Sequence, residues 1–531
     1  MRSAQIDSFV RNRLPPPELQ PEFLFELPEL HYPDRLNAAA ALIGEGPAEA
    51  PAVINDSGTW TYGQMRDLSD RIARLLVEEE GLVPGNRVLL RGPNGAILFA
   101  SWLAVLKAGG VVVATMPILR PGEIATILDR AQVHHAIVDE RGLGDFMAAA
   151  DETGLIRSLL TYRGDAGGGA LEKRLRGVAG GFETVRTHRD DVALIAFTSG
   201  TTGRPKACIH YHRDVLASAD SFARYVLKPE PGGRWACSAP IAFTFGLGMQ
   251  LIFPWRFGGA AVTLDQAGPK ALLEAVAKHR VTTLATAPTA YKAMLGMLEG
   301  RDISSLTTCV SAGEHLPAAT WQAWREATGL RIVDGIGATE MMHVFISASG
   351  DDIRPGATGK AVPGYRACVL DEEGRPLPHG VGRLAVKGPT GCRYMDDERQ
   401  RDYVQHGWNV TGDTYRRDDD GYFRYLARSD DMIVSAGYNI AAPEVENALY
   451  LHEAVAECAV IGVPCAERGQ RVKAFVVTAA GHAGSPALAR ALQDHVKAAI
   501  APYKYPREIE FVAALPRTAT GKLQRFQLRT G

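Results

Sequence analysis

A polyphosphate is held by donors and a cation brought close to its oxygens, and one stretch of this chain supplies both. Behind the apolar run Ala193 to Phe197 come the hydroxyls Thr198, Ser199, Thr201 and Thr202, the glycines Gly200 and Gly203, and the cation Lys206. Hydroxyls and backbone N–H groups bind phosphate oxygens where glycine lets the chain approach, and lysine adds a mobile point charge. The spacing of Gly200, Gly203 and Lys206 does not fit Gly-x4-Gly-Lys-[Ser/Thr], so this is not a Walker A loop. A second lysine, Lys522, stands alone on a turn between Leu515 and Arg525, close to the C-terminus. The two lysines read as the two ends of one nucleotide chemistry. His210 and His212 alternate along an expected strand after the first stretch and read as ordinary satisfied histidines.

The elements that must position these groups alternate. Met65, Leu68, Ile72, Leu75 and Leu76 recur at helical spacing, Gly81 and Pro84 stop the helix, and Arg87 opens a strand. The unit repeats where helical 269–279 runs into extended 281–287, and where helical 318–328 runs into extended 331–334. Such alternation predicts mainly parallel sheets flanked by helices, an α/β chain. From about Ala361 short strands separated by turn signals predict a β-rich part, about 361–429. The last hundred residues combine helical 443–450 and 488–500 with extended 456–463 and 472–478, a compact α+β unit. The boundary is placed at Ser429 and Asp430, dividing a large domain, 1–429, from a small one, 430–531.

Three features carry no chemistry. The glycine-rich segments 164–169 and 177–181 lack a hydroxyl cluster and read as flexible surface connections. The charge run from Arg416 to Asp420 stands beside Gly421 and reads as a solvated hairpin tip. No repeat of solenoid period is present.

Composition narrows the partners. A chain of 531 residues exceeds one ordinary core, and 46% hydrophobic residues support several. A formal net charge of -2 gives no electrostatic case for nucleic acid or an anionic membrane surface. The seven cysteines are odd in number, dispersed and never spaced Cys-x-x-Cys, which argues against a disulfide framework or a zinc site and for a reducing compartment. Residues 1–30 hold no uninterrupted apolar segment, and the apolar stretch Leu98 to Met116 is broken by Lys107, Gly109 and Gly110, so a cytoplasmic protein without a membrane anchor is expected.

Over nearly its whole length the chain resembles the acyl-adenylate-forming superfamily of acyl- and aryl-CoA ligases, luciferases and peptide-synthetase adenylation domains. The resemblance rests on the loop 198–206, on segments 311–314, 334–340, 411–413, 425–433 and 437–440, and on the turn at Lys522, in that order. It implies a large N-terminal domain of two doubly wound α/β subdomains plus a β-rich subdomain, and a small mobile α+β C-terminal domain. It also implies a carboxylate activated by ATP and Mg²⁺ to an acyl-AMP, then attacked by the thiol of coenzyme A. Charge neutralised by donors, cation and metal around the phosphates is the physical basis of such a step.

The resemblance assigns residues to roles. Thr198, Ser199, Gly200, Thr201, Thr202, Gly203 and Lys206 would grip the β- and γ-phosphates, Thr339 would touch the α-phosphate, and Glu340 would hold Mg²⁺. Gly313, Glu314, Asp334, Gly335 and Ile336 would form the adenine slot, with Ile336 standing where many relatives carry an aromatic ring. Asp413 would accept from the ribose hydroxyls with Arg428 beside it. Lys522 would bridge the carboxylate and the α-phosphate during adenylation, and rotation about Asp430 would then bring Gly437 to the pantetheine channel.

For the acyl group, segments 242–246 and 340–345 resemble pocket segments of benzoate- and 2-aminobenzoate-CoA ligases, a pocket lined by Thr244, Phe245, Gly246, Ala312, Gly337, His343 and Val344. Likeness to the 2-aminobenzoate (anthranilate) group is greater, extending to segments 391–394 and 501–506. The expected activity is therefore an AMP-forming aryl-CoA ligase acting on anthranilate. The alternatives are benzoate or another substituted benzoate as substrate, or transfer of the aryl group to a carrier protein. The expected partners are a small aromatic acid, ATP and coenzyme A, with neither nucleic acid nor membrane, and a homodimer stays open.

Overall fold

The computed structural model describes residues 3–44, 46–198, 205–428, 432–435, 438–465, 469–500, 502–517 and 523–529. Four sheets organise the described chain. In the first, of six strands, Ser158–Tyr162, His135–Asp139, Arg87–Arg91, Val111–Thr115 and Val192–Thr198 run parallel, and Lys206–Tyr211 closes the edge antiparallel to Val192–Thr198. In the second, of nine strands, Ile332–Gly337, Thr308–Ser311, Thr283–Thr286, Arg234–Cys237, Ala260–Val262 and Pro51–Asn55 are parallel neighbours in that order. Antiparallel strands finish both of its edges, Gly58–Thr61 on one side and Val344–Ser347 with Lys360–Ala361 on the other.

Helix Ala96–Lys107 shows how the two sheets share a core. All twelve of its residues are buried, which a helix apolar around its whole circumference requires. Its one charged residue is satisfied, because Lys107 Nζ donates to Asp70 at 2.6 Å and to Ser69 at 2.8 Å. Helix Tyr62–Glu78 carries Met65, Ile72, Leu75 and Leu76 into the same core and begins with a capping box between Thr61 and Gln64. The apolar spacing expected of 65–76 thus marks a helix one turn longer at its start, where Thr61 closes it.

The third sheet is wholly antiparallel, with strands Pro376–Leu377, Arg366–Leu370, Gly380–Lys387, Trp408–Arg417 and Val404–Gln405 in order and Phe423–Arg428 on Trp408–Arg417. It begins at Arg366, since Lys360–Ala361 belongs to the nine-stranded sheet. The run 416–420 is its hairpin tip, where Asp418 takes Arg424 at 2.8 Å and Asp420 takes Arg354.

The fourth sheet joins Tyr438–Ala441, Met432–Ser435, Gly469–Thr478 and Val455–Cys465, with Glu508–Phe511 parallel to Gly469–Thr478. Helices Ala442–Tyr450 and Pro486–Ala499 cover it with a core of their own. This small unit meets the large one through Lys292, which donates to the Ala456 carbonyl at 3.0 Å and lies 4.6 Å above the Tyr450 ring. The sheets change between 428 and 432, and the expected boundary at Ser429 and Asp430 lies outside the described residues. All seven cysteines are free, and among the described residues no helix is long and apolar enough to cross a membrane.

Candidate active site

The phosphate-loop motif springs from a hairpin stem. Strands Val192–Thr198 and Lys206–Tyr211 pair so that Thr198 faces Lys206 at the open end. Ser199, Gly200, Thr201, Thr202 and Gly203 lie outside the described residues. Arg130 fixes the far side of the stem by donating to the Pro205 carbonyl and, at 3.2 Å, to that of Met395.

A segment distant in sequence clasps this stem. Residues 393–395 pair with it through Ile209 N–H to the Arg393 carbonyl at 2.8 Å and Met395 N–H to the Ala207 carbonyl at 2.9 Å. Tyr394 is thereby placed beside Lys206, whose Nζ donates to its Oη at 3.0 Å and sits 4.9 Å from its ring centroid. The same hydroxyl donates to Oε1 of Glu340, which is only 8% exposed. Burial first, then the Glu340 charge, pushes the Tyr394 phenol far above its ordinary range. The thiols of Cys208 and Cys392 are likewise pushed well up by burial, which leaves them protonated and inert.

The turn Thr339–Met341 is gripped from two sides. His210 Nε2 donates to the Thr339 carbonyl at 2.8 Å, and Thr390 Oγ1 donates to the Met341 carbonyl at 2.7 Å. Below them Arg393 pairs with Asp214 at 2.7 Å, both side chains fully buried, and His210 Nδ1 lies 3.8 Å from the same carboxylate. Burial alone would raise the Asp214 carboxyl, but Arg393, His210 and Arg213 together hold it well below the usual carboxylate range. His210 is therefore buried with its Nε2 bonded to the backbone of the site, but its Nδ1 finds no hydrogen-bond partner among the described residues, so it is not the ordinary satisfied histidine expected. His212 opens the next helix, accepts from Ala38 N–H at 3.1 Å, and is lowered to about 4 by burial.

Asp413 and Arg428 stand opposite each other on neighbouring strands and pair at 3.2 Å. Gly412, at φ +75°, lets them approach, because a Cβ there would lie 3.2 Å from Arg428 Nη2. Across the nine-stranded sheet, Asp334 has a buried Oδ1 without a partner among the described residues, and burial pushes its carboxyl up to about 8. Ser347 Oγ holds the Asp334 carbonyl at 2.6 Å, and Gly335 leaves room for Val344, whose Cγ1 would lie 2.7 Å from a Cβ at that position. Ile336 is half-buried, Gly313 is exposed at φ +91°, and Glu314 is half-buried beside it. Next to them His315 stacks on Tyr425 at 5.5 Å and is lowered to about 4 by burial.

Of the residues expected around an acyl group, Phe245 and Gly337 lie against His343. It is caged by Phe222 at 5.4 Å, Phe245 at 5.7 Å and Phe253 at 4.5 Å between ring centroids. Burial lowers it to about 3, so the ring is neutral. Its Nε2 lies 3.4 Å from the Phe245 carbonyl, an acceptor only, which puts the proton on that nitrogen and leaves the buried Nδ1 a lone pair without a partner among the described residues. Thr244, Phe245 and Gly246 form the short helix alongside, and Ala242 and Thr244 line a small apolar cavity with Trp102, Ile195, Ala196 and Ile241. Ala312 is buried at the end of its strand, and Gly337 passes the His343 carbonyl so closely that a Cβ would lie 2.7 Å from it. Val344 is buried in the core against Gly335.

Glu340 offers hard oxygen beside a cation and a hydroxyl. Among the described residues no three His, Cys, Asp or Glu side chains converge to hold an ion unaided. One carboxylate suits Mg²⁺ carried on phosphate oxygens, which keeps most of its water. Asp430, Gly437 and Lys522 lie outside the described residues.

Tyr394, Thr390, His210, Asp214 and Arg393 were not read as site residues from sequence. For Arg393 and Tyr394 the sequence holds a signal, since segment 391–394 is one of the likenesses. For the others nothing local distinguishes them from core polar residues.

Residues 41–393 match the AMP-binding enzyme family, and residues 444–522 match the AMP-binding enzyme C-terminal domain. The chain is 35% identical over 516 residues to the benzoate–CoA ligase of Thauera aromatica, covering 95% of this chain and 97% of that protein. It superposes on the crystal structure of the anthranilate CoA ligase AuaEII in complex with anthranoyl-AMP with a TM-score of 0.89 at 34% identity, covering 95% of this chain and 98% of that one. On a benzoate CoA ligase from Burkholderia xenovorans LB400 the TM-score is 0.85 at 32% identity, covering 93% and 100%. The chain belongs to the AMP-binding enzyme family and is an AMP-forming acid–thiol ligase within it.

Proposed function

We propose that the chain is an ATP-dependent aryl-CoA ligase that converts 2-aminobenzoate to its aryl-AMP and then to the coenzyme A thioester. Lys206 and the loop 198–203 take the β- and γ-phosphates, Thr339 the α-phosphate, and Asp413 with Arg428 the ribose. Gly313, Glu314 and 334–336 receive the adenine, where Ile336 offers an apolar face rather than a ring to stack on. Glu340 is the carboxylate suited to Mg²⁺, which when bound spreads the charge of the phosphates. Lys522 neutralises the charge that builds between carboxylate and α-phosphate. The small domain then turns at Asp430 to present Gly437 to the thiol of coenzyme A.

The observation that carries the choice of acid is His343. A neutral ring held among three aromatic side chains suits a flat aryl group. Its unpaired Nδ1 suits a substrate that brings an N–H donor, and a buried acceptor left without one costs about 1–3 kcal/mol. The full-length likeness to a benzoate–CoA ligase favours benzoate as the second reading.

The test is the purified enzyme with ATP, Mg²⁺, coenzyme A and a panel of benzoate, 2-aminobenzoate and hydroxybenzoates. Anthranoyl-CoA and AMP should form with the highest kcat/KM for 2-aminobenzoate. A preference for benzoate would overturn the choice of acid. Absence of any aryl-CoA, with transfer to a carrier protein instead, would overturn the acceptor.

A further inference from the structure

The structure assigns Tyr394 a positioning role: its hydroxyl fixes the Glu340 carboxylate for a divalent cation while holding the Lys206 ammonium apart from it. This inference rests on the roles given above to Lys206 and Glu340.

Hydrogen-bond valence settles how the three groups are wired. An ammonium has only donors and a carboxylate only acceptors, so the single O–H of the phenol must go to Glu340 and a lone pair must take the Lys206 N–H. The phenol, rather than a direct ion pair, therefore links cation to anion. One carboxylate oxygen, Oε1, is committed to Tyr394, which leaves Oε2 for a ligand.

The hydroxyl is itself fixed. Tyr394 N–H donates to Gln400 Oε1 at 2.8 Å, its ring packs edge-on against Tyr403 at 5.8 Å, and the preceding Arg393 is locked to Asp214. Thr390 ties the same segment to the turn carrying Glu340. Partners of metal-binding carboxylates commonly contribute 10–100-fold to metal affinity. A direct Lys206–Glu340 pair would also have to be broken before a metal-bound triphosphate could bind, and the intervening phenol removes that competition.

Tyr394→Phe keeps the ring contacts and the backbone bond while deleting the hydroxyl. Calorimetric ATP binding with and without Mg²⁺ is the readout, alongside the Mg²⁺ dependence of ATP–pyrophosphate exchange. The ratio of the variant's ATP affinities with and without Mg²⁺ should fall by about tenfold or more relative to the wild type. An unchanged enhancement overturns the proposal. Lys206→Met, which leaves the Tyr394–Glu340 bond in place, should weaken ATP binding equally with and without Mg²⁺, and a selective loss of the Mg²⁺ effect there would overturn the division of roles. Glu340→Gln separates the levels: if it too leaves the Mg²⁺ effect intact, the placement of the cation at Glu340 is wrong. If it abolishes the effect and Tyr394→Phe does not, only the role of Tyr394 falls.

Discussion

Asp214→Asn should destabilise the large domain severely, although Asp214 is outside every motif. Arg393 and Asp214 meet at 2.7 Å with neither side chain exposed, and Arg393 Nε and Nη2 find no other partner among the described residues. The asparagine oxygen still accepts from Tyr211 N–H, which the carboxylate does at 2.9 Å, so the change removes charge and little else. The faces of Phe23 and Tyr211, 4.3 Å and 4.0 Å from the guanidinium, remain in wild type and variant alike and do not enter the difference. A buried cation stripped of its partner costs about 3–5 kcal/mol. Denaturant unfolding at pH 7, followed by tryptophan fluorescence with the large-domain transition fitted separately, measures it. Arg393→Met should cost a similar amount, and the double variant less than either single one, because no uncompensated charge is left. A loss under about 1 kcal/mol in Asp214→Asn, or additive losses in the double variant, would refute the reasoning.

The same pair sets a dependence on pH. The folded Asp214 carboxyl lies well below its unfolded value of about 3.9, so its stabilisation is complete above that pH and fades as pH falls toward the folded value. Wild type should lose stability below about pH 4 more steeply than Asp214→Asn does.

Three further outcomes follow from the site. Gly248→Ala would put a Cβ 2.4 Å from His343 Cδ2 and 2.9 Å from Phe253 Cζ, and since the caged ring has nowhere to retreat it should cost about 1–3 kcal/mol and raise the KM for the aryl acid, as thermal unfolding and steady-state kinetics will show. Asp334, raised to about 8 by burial, keeps a proton that the unfolded chain releases near pH 4, so its contribution to stability falls as pH rises from about 4 to 8. Asp334→Asn should flatten that slope, and parallel pH–stability curves for variant and wild type would contradict it. Asp413→Ala should raise the KM for ATP about 10–100-fold in pyrophosphate exchange, the worth of one charged hydrogen bond of 1.5–3 kcal/mol, and an unchanged KM would remove Asp413 from the ribose site.

What was legible in the sequence is what local pattern encodes. Helical spacing from Met65 to Leu76 gave a helix because one face had to reach the core, and Thr61 with Gln64 added the start that periodicity does not show. The hairpin tip at 416–420 followed from charges beside a glycine. The glycine-rich connection at 164–169 was read as free of any task, yet Asp165 within it accepts from Ala96 N–H at 2.7 Å and Ile97 N–H at 3.0 Å, anchoring the start of the central helix. Composition sees the glycines, whereas the bond spans 69 residues. Lys206 with Tyr394, 188 residues apart, is the same case within the site.

The large-unit half of the proposed site is held together across such separations. Lys206, Tyr394 and the turn at Thr339 come from three distant stretches of chain joined by hydrogen bonds: the backbone of Arg393 and Met395 bonds the strand of Lys206, and the side chains of His210 and Thr390 bond the backbone of the turn. No one of them can shift without breaking buried hydrogen bonds, each worth about 1 kcal/mol and more if a partner is left unpaired. Between the small unit and the large one run the exposed bond of Lys292 to Ala456 and the part-buried 3.4 Å contact of Asn447 with His315. Polar contacts open to water exchange for water at little cost. The proposed chemistry, with fixed charges around a triphosphate and a second group delivered by rotation, calls for a cradle locked in the large unit and a small unit free to turn.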